Sequence, residues 1–237
     1  MTRPRQAGRF ITFEGIDGSG KSTQARLLAE RLRNAGEDVI LTREPGGSPG
    51  AEEIRSLVLT GETGRWSAET EILLFTAARR DHLEKTILPA LDAGRTVICD
   101  RFADSTRVYQ GATRGDLRRK VDQLHAAMIG REPDRTFIID MDPAKALARA
   151  ESRAVDAMAE TSMFPRDEVE ALVNRSGVTA SERDDPAEMR FEAFGLGFQE
   201  TIRHGFLALA RDNPDRCTVI DGDRPAEAIA SEVAARL

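Results

Sequence analysis

Five short apolar runs that are rich in β-branched residues recur along the chain. They read RFITFEG, DVILTRE, TVICDR, TFIIDMD and CTVIDGD, at residues 9–15, 38–44, 96–101, 136–142 and 217–223. Each run is almost continuously apolar, which is typical of parallel strands buried on both faces. We therefore predict five strands in one parallel sheet.

Helical patterns separate these runs. After the first run, Ala25, Leu28, Ala29 and Leu32 follow the i, i+3, i+4, i+7 spacing of an amphipathic helix, and Gly36 supplies a stop. Further helical stretches are predicted at about residues 50–59, 68–93, 115–129, 143–153, 186–211 and 225–236. Strands that alternate with helices predict an α/β fold of three layers, in which helices cover both faces of the sheet.

Polar residues stand at the carboxyl end of every apolar run. They are Glu14, Arg43 with Glu44, Asp100 with Arg101, Asp142 and Asp221. In open α/β sheets, ligands bind outside the carboxyl ends of the strands. This edge of the sheet is therefore where we expect the functional site.

Length and charge limit the possible organisation and partners. The chain has 237 residues, 40% of them hydrophobic and 31% charged, which suits one domain over residues 1–237 with a lid or insertion at about 150–190. The formal net charge is −6, from 34 basic and 40 acidic side chains. Proteins that bind nucleic acid usually show a basic excess or stripe, so we expect no nucleic-acid partner.

The cysteines and the apolar runs bear on location. Cys99 and Cys217 each lie in an apolar run and are predicted to be buried strand residues. Their spacing fits neither a metal cluster nor a disulfide framework, which favours a reducing cytoplasm. The first ten residues lack the apolar core of a signal peptide, and no run approaches membrane-spanning length. We expect a soluble cytoplasmic protein without a membrane partner.

The segment EGIDGSGKST, at residues 14–23, carries a phosphate-binding motif. Gly15, Gly20, Lys21 and Ser22 fit the P-loop pattern G-x-x-x-x-G-K-S between a strand and an amphipathic helix. The glycines let successive N–H groups turn inward, and the helix N-terminus adds a positive dipole end. Lys21 is expected to reach the β- and γ-phosphates of a nucleotide, and the Ser22 hydroxyl to bind Mg²⁺. The alternative is a glycine-rich turn that only packs.

Several classes of protein share this motif. A GTPase would carry an N-K-x-D guanine-binding motif late in the chain, and the sequence has none. An ATPase motor usually needs a larger chain or an oligomeric apparatus. A small α/β kinase is therefore favoured, and its acceptor has to be read from other segments.

Three further segments lie at or near predicted strand ends. They read TREPGG at 42–47, FTAARRDH at 75–82 and DRFADSTRVYQG at 100–111. Together with the P-loop they make the sequence resemble the thymidylate kinase family, whose members convert dTMP to dTDP. The resemblance covers residues 9–150 closely and 189–237 more loosely. It implies ATP as donor, dTMP as acceptor, Mg²⁺ as cofactor and a homodimer.

The resemblance assigns most of the nucleotide-binding residues. The predicted ATP-binding residues are Gly15, Ile16, Asp17, Gly18, Ser19, Gly20, Lys21, Ser22, Thr23 and Arg149. The predicted dTMP-binding residues are Asp17, Arg43, Phe75, Arg79, Arg101, Ser105, Thr106, Tyr109 and Gln110. Lys21, Asp100, Arg101, Arg153 and Arg190 are the predicted catalytic residues, with Ser22 and Asp100 at the metal.

Arginines suit the acceptor phosphate because their planar guanidinium groups bind phosphate bidentately. Arg43 and Arg101 follow two predicted strands, and the resemblance places Arg101 on the phosphate and Asp100 near the metal. The alternative for Arg43 is a structural ion pair with Glu44 or another acid. Phe102 departs from the His or Tyr that the family usually shows, which removes one hydrogen bond but leaves the Asp-Arg pair intact.

The thymine and the sugar have separate predicted contacts. Phe75 and Arg79 are four apart on one predicted helix, so they present to the same side. There, Phe75 is expected to stack on the base and Arg79 to donate to O4, with ordinary core packing as the alternative for Phe75. The resemblance places Thr106 at the pyrimidine edge and Tyr109 against the 2′ carbon of the sugar. Asp17 matches an acidic position that accepts from the 3′-hydroxyl, although aspartate also favours turns.

A lid arginine is expected to stabilise the transferred charge. Some members of the family carry this arginine in the P-loop, but Gly18 occupies that position here. Residues 154–187 interrupt the strand–helix alternation, with a short helix predicted from Pro165, and they belong to the predicted lid. The candidate arginines, each with surface pairing as the alternative, are Arg149, Arg153, Arg183 and Arg190. Adenine contacts are expected from IDGDRP at residues 220–225.

Two other functions remain open at this point. A deoxynucleoside kinase would need a base for the 5′-hydroxyl and fewer arginines for the acceptor, so Arg43 and Arg101 argue against it. A P-loop protein that senses nucleotide without catalysis is the other, and intact Lys21, Ser22 and Asp100 argue against that.

Overall fold

The computed structural model describes residues 8–60, 65–111, 115–150, 152 and 195–237. The strands are β1 (Phe10–Glu14), β2 (Val39–Arg43), β3 (Thr96–Asp100), β4 (Arg135–Asp140) and β5 (Cys217–Asp221). They form one sheet in the order β2-β3-β1-β4-β5, and every pairing is parallel. The predicted five-stranded parallel sheet is confirmed.

The two edge strands differ from the expectation of burial on both faces. β1, at the centre, is buried at every residue. In β2 and β5, by contrast, Leu41 is 38% exposed and Val219 is 39% exposed. Each edge strand has a neighbour on one side only, so helices cover it less completely. The prediction of full burial is therefore wrong for β2 and β5.

The helices follow the predicted alternation. They are α1 (Lys21–Asn34), α2 (Pro49–Leu59), α3 (Ala68–His82), α4 (Leu88–Asp92), α5 (Ala103–Tyr109), α6 (Arg118–Met128), α7 (143–150), α8 (Leu196–Asp212) and α9 (Ala226–Ala235). A π-helix, Leu83–Ile87, joins α3 to α4, so the stretch predicted at 68–93 is helical but not one regular α-helix. α4 lies within that predicted stretch, whereas the short helix α5 is an addition to the predicted pattern.

α5 was not predicted, and its burial explains why. Asp104, Thr106, Arg107 and Tyr109 are all buried, together with the apolar residues of this seven-residue helix. Helix prediction from sequence depends on an apolar face opposite a polar face that meets water. A helix that buries charged and apolar side chains together shows no such pattern.

Apolar clusters lie on both sides of the sheet. On one side, Leu28 of α1 and Ile229 of α9 belong to a cluster with Ile11 and Phe13 of β1. On the other side, α4, α5 and α8 pack against the strands. The three predicted layers are confirmed. None of the described helices combines the length and the hydrophobicity of a membrane-spanning segment.

A buried ionic network fixes α5 to its neighbours. The carboxylate of Asp104 accepts from Arg107 Nη1 at 2.9 Å and from Arg216, which precedes β5, at 2.6 and 2.9 Å. Arg107 also donates to Asp122 of α6 at 2.8 Å and to Glu132 at 3.0 Å. Burial alone would raise the pKa of Asp104, but the hydrogen bonds and charges of the two arginines hold it below its usual value.

Replacing Asp104 with asparagine is expected to lower the free energy of unfolding by about 3–5 kcal/mol, because two largely buried arginines lose their shared counter-charge. For a chain of this length, that corresponds to a fall in Tm of roughly 10 °C, measured by thermal unfolding. Asp38→Asn is the matched control, since Asp38 is 68% exposed and its pair with Arg95 is worth at most about 1 kcal/mol. Equal Tm values for the two variants would show that Asp104 does not stabilise the fold through its two arginines.

Candidate active site

The loop after β1 turns sharply at three glycines. Gly15, Gly18 and Gly20 have φ values of 141°, 76° and 99°, in the region that favours glycine. A Cβ on Gly15 would lie 2.5 Å from the carbonyl oxygen of Ile139 in β4. The loop therefore depends on glycine both for its backbone conformation and for its close approach to the sheet.

Gly18 rests against α7. A Cβ at this position would lie 2.0 Å from the carbonyl oxygen of Ala146, so no side chain fits there in this conformation. α7 begins after Asp142, whose carboxylate accepts from the backbone N–H groups of Ala144 and Lys145 at 3.0 and 3.2 Å. An arginine within the P-loop at position 18 is thus excluded by packing.

α1 begins at the end of this loop and carries the motif's lysine. Lys21 is buried, its Nζ donates to the carbonyl oxygen of Ile16 at 2.7 Å, and it lies 3.9 Å from Asp17 Oδ1. Ser22 follows with an exposed side chain. Ser19 Oγ is buried and has no hydrogen-bond partner among the described residues. A buried cation, hydroxyl groups and the N-terminus of α1 favour an anion at this position.

A cleft of about 400 Å³ opens beside the loop. Its wall includes Gly18, Thr23, Arg149, Gly222 and Arg224. Arg149 Nη1 donates to the carbonyl oxygen of Gly222 at 3.3 Å, at the carboxyl end of β5. Gly222 and Arg224 belong to the IDGDRP segment, which the sequence predicts for adenine. The cleft thus lies toward the β5 edge of the sheet.

On the β3 side of β1, three predicted residues come together. Arg101 Nη2 donates to Asp17 Oδ1, and the Tyr109 hydroxyl donates to Asp17 Oδ2 at 3.1 Å. The guanidinium carbon of Arg101 lies 5.3 Å from the centroid of the Tyr109 ring. Burial raises the pKa of the Tyr109 phenol well above its usual value, so it remains a neutral donor. The sequence predicted a role for each of these residues but not their mutual contacts.

Arg101 adopts an unusual backbone conformation. Its φ is 68°, the one positive value at a non-glycine residue in the described part of the chain. Its Nη1 donates to Ser105 Oγ at 3.2 Å and to the carbonyl oxygen of Gly15 at 3.4 Å. Asp100 precedes it at the end of β3, and Asp100 Oδ1 is buried without a hydrogen-bond partner among the described residues. This turn brings the end of β3 against the P-loop.

Arg79 is buried in a polar pocket instead of facing solvent. Its Nε donates to Glu44 at 2.7 Å, and its Nη2 donates to Thr106 Oγ1 and to the carbonyl oxygen of Phe102, both at 3.1 Å. His82 Nδ1 lies 3.1 Å from the other carboxylate oxygen of the same Glu44. Arg79 and Thr106, both predicted at the base, are thus in direct contact.

Phe75 and Phe102 differ in exposure. Phe75 is half-buried and packs against the apolar cluster that contains Ile16 and Tyr109. Phe102 is 1% exposed and meets the ring of Phe10 edge-on, with centroids 4.9 Å apart. Phe75 therefore keeps a surface at the edge of the site, whereas Phe102 belongs to the core.

Arg43 and Gln110 lie at the edge of the group of predicted dTMP-binding residues. Arg43 ends β2 in register with Asp100, but its side chain is 53% exposed and donates to Glu52 at 3.2 Å. Gln110 is buried and donates to Glu71 at 3.4 Å. The ion pair of Arg43 is the alternative that the sequence left open, and its contact with phosphate stays a prediction.

Glu14 is a buried group at the site that the sequence did not assign to substrate. Its two oxygens accept from the backbone N–H of Phe102 at 2.7 Å and from the Ser105 hydroxyl at 2.6 Å. Burial and the charge of Asp104 raise the pKa of Glu14 to about 7, against the opposing effects of the Ser105 hydrogen bond and the Arg101 charge. The sequence feature that could have indicated a role for Glu14 was its position at the end of β1.

The remaining predicted arginines lie elsewhere in the chain. Arg153, Arg183 and Arg190, and the helix predicted from Pro165, lie outside the described residues. Their roles stay predictions.

Comparisons with known proteins agree on one family. The model of the thymidylate kinase family matches residues 13–168. The thymidylate kinase of Dinoroseobacter shibae is 61% identical over 237 residues, covering 100% of this chain and 98% of that protein. The thymidylate kinase of Caulobacter vibrioides is 45% identical over 227 residues, or 95% and 94% of the two chains. A crystal structure of thymidylate kinase from Ehrlichia chaffeensis matches with a TM-score of 0.68 and 34% identity, covering 97% of this chain and 98% of that one.

Proposed function

This chain belongs to the thymidylate kinase family, and we propose how its residues divide between the two substrates, ATP and dTMP. The enzyme transfers the γ-phosphoryl group of ATP to dTMP, giving ADP and dTDP. The bond between the γ-phosphorus and the β,γ-bridging oxygen breaks, and a bond forms between that phosphorus and an oxygen of the acceptor phosphate. ATP occupies the P-loop and the cleft toward β5, and dTMP occupies the β3 side of β1.

The contact of Arg101 with the P-loop carries this proposal. Its side chain is 15% exposed and contacts Ser105 and two P-loop residues, Asp17 and the carbonyl oxygen of Gly15. A guanidinium held there binds the acceptor phosphate and orients one of its oxygens toward the γ-phosphorus. Holding both reactants in line, with their negative charge offset, supplies most of the rate enhancement in phosphoryl transfer.

The base and sugar lie along α3 and α5 in this proposal. The half-buried ring of Phe75 stacks on thymine, and Arg79 donates to O4 from a position fixed by Glu44 and Thr106. Asp17 accepts from the 3′-hydroxyl. Because the acceptor already carries about two negative charges near neutral pH, the transfer does not require a strong general base.

Asp100 and Ser22 would hold Mg²⁺. Asp100 Oδ1 is a buried carboxylate oxygen with no hydrogen-bond partner among the described residues, and Ser22 carries an exposed hydroxyl at the start of α1. Both are oxygen ligands of the kind that Mg²⁺ prefers. When bound with ATP, the ion supplies positive charge beside the phosphoryl group that is transferred. Because packing excludes a side chain at Gly18, a further cation must come from elsewhere, and Arg153 and Arg190 remain the proposed sources.

Tyr109→Ala is expected to lower the preference for dTMP over the ribonucleotide TMP, measured as the ratio of kcat/KM values, by about 10-fold. The ring occupies the proposed 2′ side of the sugar, and its removal makes room for a hydroxyl. Tyr109→Phe is the matched control, because it keeps the ring and loses the hydrogen bond to Asp17. Equal sugar selectivity in the alanine variant and the wild type would refute this role.

Release of ADP from Mg·ATP with a panel of acceptors tests the proposed function. The panel contains dTMP, dUMP, dCMP, dAMP, dGMP, UMP and thymidine. Strong turnover with dTMP, weaker turnover with dUMP and little with the rest is the expected result. Turnover with thymidine alone would instead identify a nucleoside kinase, and ATP binding without any turnover would favour a nucleotide sensor.

A homodimer is proposed as well. Leu57 of α2, Leu73 of α3 and Met128 of α6 are 40%, 57% and 50% exposed, and α2 and α6 both pack against α3. Sedimentation should give twice the 26.0 kDa of one chain, and Leu73→Glu should shift the protein toward the monomer. A monomeric wild type would contradict the proposal.

A cytoplasmic location is proposed because both cysteines are free and buried.

A further inference from the structure

Glu14 joins the end of β1 to the turn that carries Arg101. Its side chain is 0% exposed, and Gly15, the first residue of the P-loop motif, follows it directly. One oxygen accepts from the backbone N–H of Phe102 and the other from the Ser105 hydroxyl, at 2.7 and 2.6 Å. A single carboxylate thus contacts two residues that follow Arg101, Phe102 directly after it and Ser105 in α5.

The first of these bonds bears on backbone conformation. Arg101 has a φ of 68°, a left-handed conformation that is unfavourable for a residue with a side chain. Its own N–H donates to the carbonyl oxygen of Phe13 at 2.9 Å, and the next N–H, that of Phe102, donates to Glu14. Two consecutive N–H groups anchored to the end of β1 hold this turn in place.

The second bond sets the direction of a hydroxyl. Ser105 gives its proton to Glu14, so its oxygen lone pairs are available to accept from Arg101 Nη1, at 3.2 Å. If Glu14 became a donor, the hydroxyl would have to turn, and the Ser105 oxygen would then receive two donors. The orientation of the guanidinium therefore depends on the ionised form of Glu14, which accepts at both oxygens.

We propose that Glu14 is a positioning residue for phosphoryl transfer, which fixes both the backbone and the guanidinium of Arg101 for the acceptor phosphate. The inference rests on the proposed function, in which Arg101 binds that phosphate. Glu14 touches neither substrate in this account and acts through Ser105 and Phe102.

Glu14→Gln tests this role with little change in volume. The amide oxygen can still accept from the Phe102 N–H, but the amide nitrogen becomes a donor toward Ser105. We expect kcat/KM for dTMP to fall about 10- to 100-fold through misplacement of Arg101, while KM for ATP stays within about twofold. Glu30→Gln is the control, because Glu30 is half-exposed on α1 and pairs with Arg26.

A double-mutant cycle separates positioning from a general loss of structure. If Glu14 acts through Ser105, the losses in kcat/KM caused by Glu14→Gln and Ser105→Ala are not additive. Additive losses, or a Glu14→Gln enzyme within twofold of the wild type, would overturn the inference. A rise in KM for ATP equal to the loss toward dTMP, with a lower Tm, would also overturn it. Should Glu14→Gln fail to fold, Ser105→Ala alone must still lose at least about 10-fold toward dTMP. Absence of dTMP turnover in the wild type would instead refute the proposed function.

Discussion

Lys21→Met is expected to lower kcat by about 1,000-fold, the largest effect that we predict for a single substitution. Removing one positioned donor from a transition state typically costs about 100- to 1,000-fold, and a full charge beside the transferred phosphoryl group places Lys21 at the upper limit. Methionine retains the apolar length of a side chain that is 3% exposed, so the packing at the start of α1 is preserved.

The rate of ADP formation at saturating Mg·ATP and dTMP measures this loss. Lys120→Met is the control, since Lys120 is 58% exposed and pairs with Glu69 at 3.3 Å. It should keep kcat within about twofold of the wild type. A Lys21→Met enzyme that retained a tenth of the wild-type kcat would show that the lysine does not contact the transferred phosphate.

Arg101→Lys is expected to lower kcat/KM for dTMP by about 100- to 1,000-fold while leaving KM for ATP within about threefold. Lysine retains the positive charge but not the planar group that binds phosphate bidentately. It also cannot reproduce the set of donors that contact Asp17, Ser105 and the Gly15 carbonyl oxygen at the same time. The positive charge of lysine alone is therefore not enough to hold the acceptor phosphate in the orientation that the transfer requires.

Steady-state kinetics with each substrate varied in turn check this prediction. Arg26→Lys is the control, because Arg26 is 55% exposed on α1 and makes a surface pair with Glu30. Equal losses toward ATP and dTMP in Arg101→Lys would contradict the assignment, since they would place this arginine between the substrates or on ATP. A kcat/KM for dTMP near that of the wild type would remove Arg101 from the site.

The P-loop and the order of strands and helices were predictable because they depend on neighbouring residues. The segment from Gly15 to Ser22 carries its own turn geometry and its own ligands, and a strand and a helix flank it in sequence. The five buried or half-buried strands likewise show their character in short apolar runs. Local sequence determines these features, and the structure confirms the strands, the helices between them and the turns at the glycines.

Contacts between distant segments were not predictable in the same way. Asp17 and Tyr109 are 92 residues apart in sequence, and Glu14 and Ser105 are 91 apart. Neither the hydrogen bond to Asp17 nor the buried network around Asp104 leaves a periodic pattern in the chain. α5 was missed for the same reason, because its burial depends on ion pairs with residues such as Arg216.

A crystal structure of the protein bound to dTMP, Mg²⁺ and a non-hydrolysable ATP analogue tests most directly how the site is divided between the two substrates. We expect the dTMP phosphate on Arg101, the 3′-hydroxyl on Asp17 and thymine against Phe75. The analogue should place its phosphates at Lys21 and its base in the cleft toward β5. Finding dTMP in the cleft beside Arg149, with Arg101 still bound to Asp17, Ser105 and the Gly15 carbonyl oxygen and not to phosphate, would contradict this division of the site.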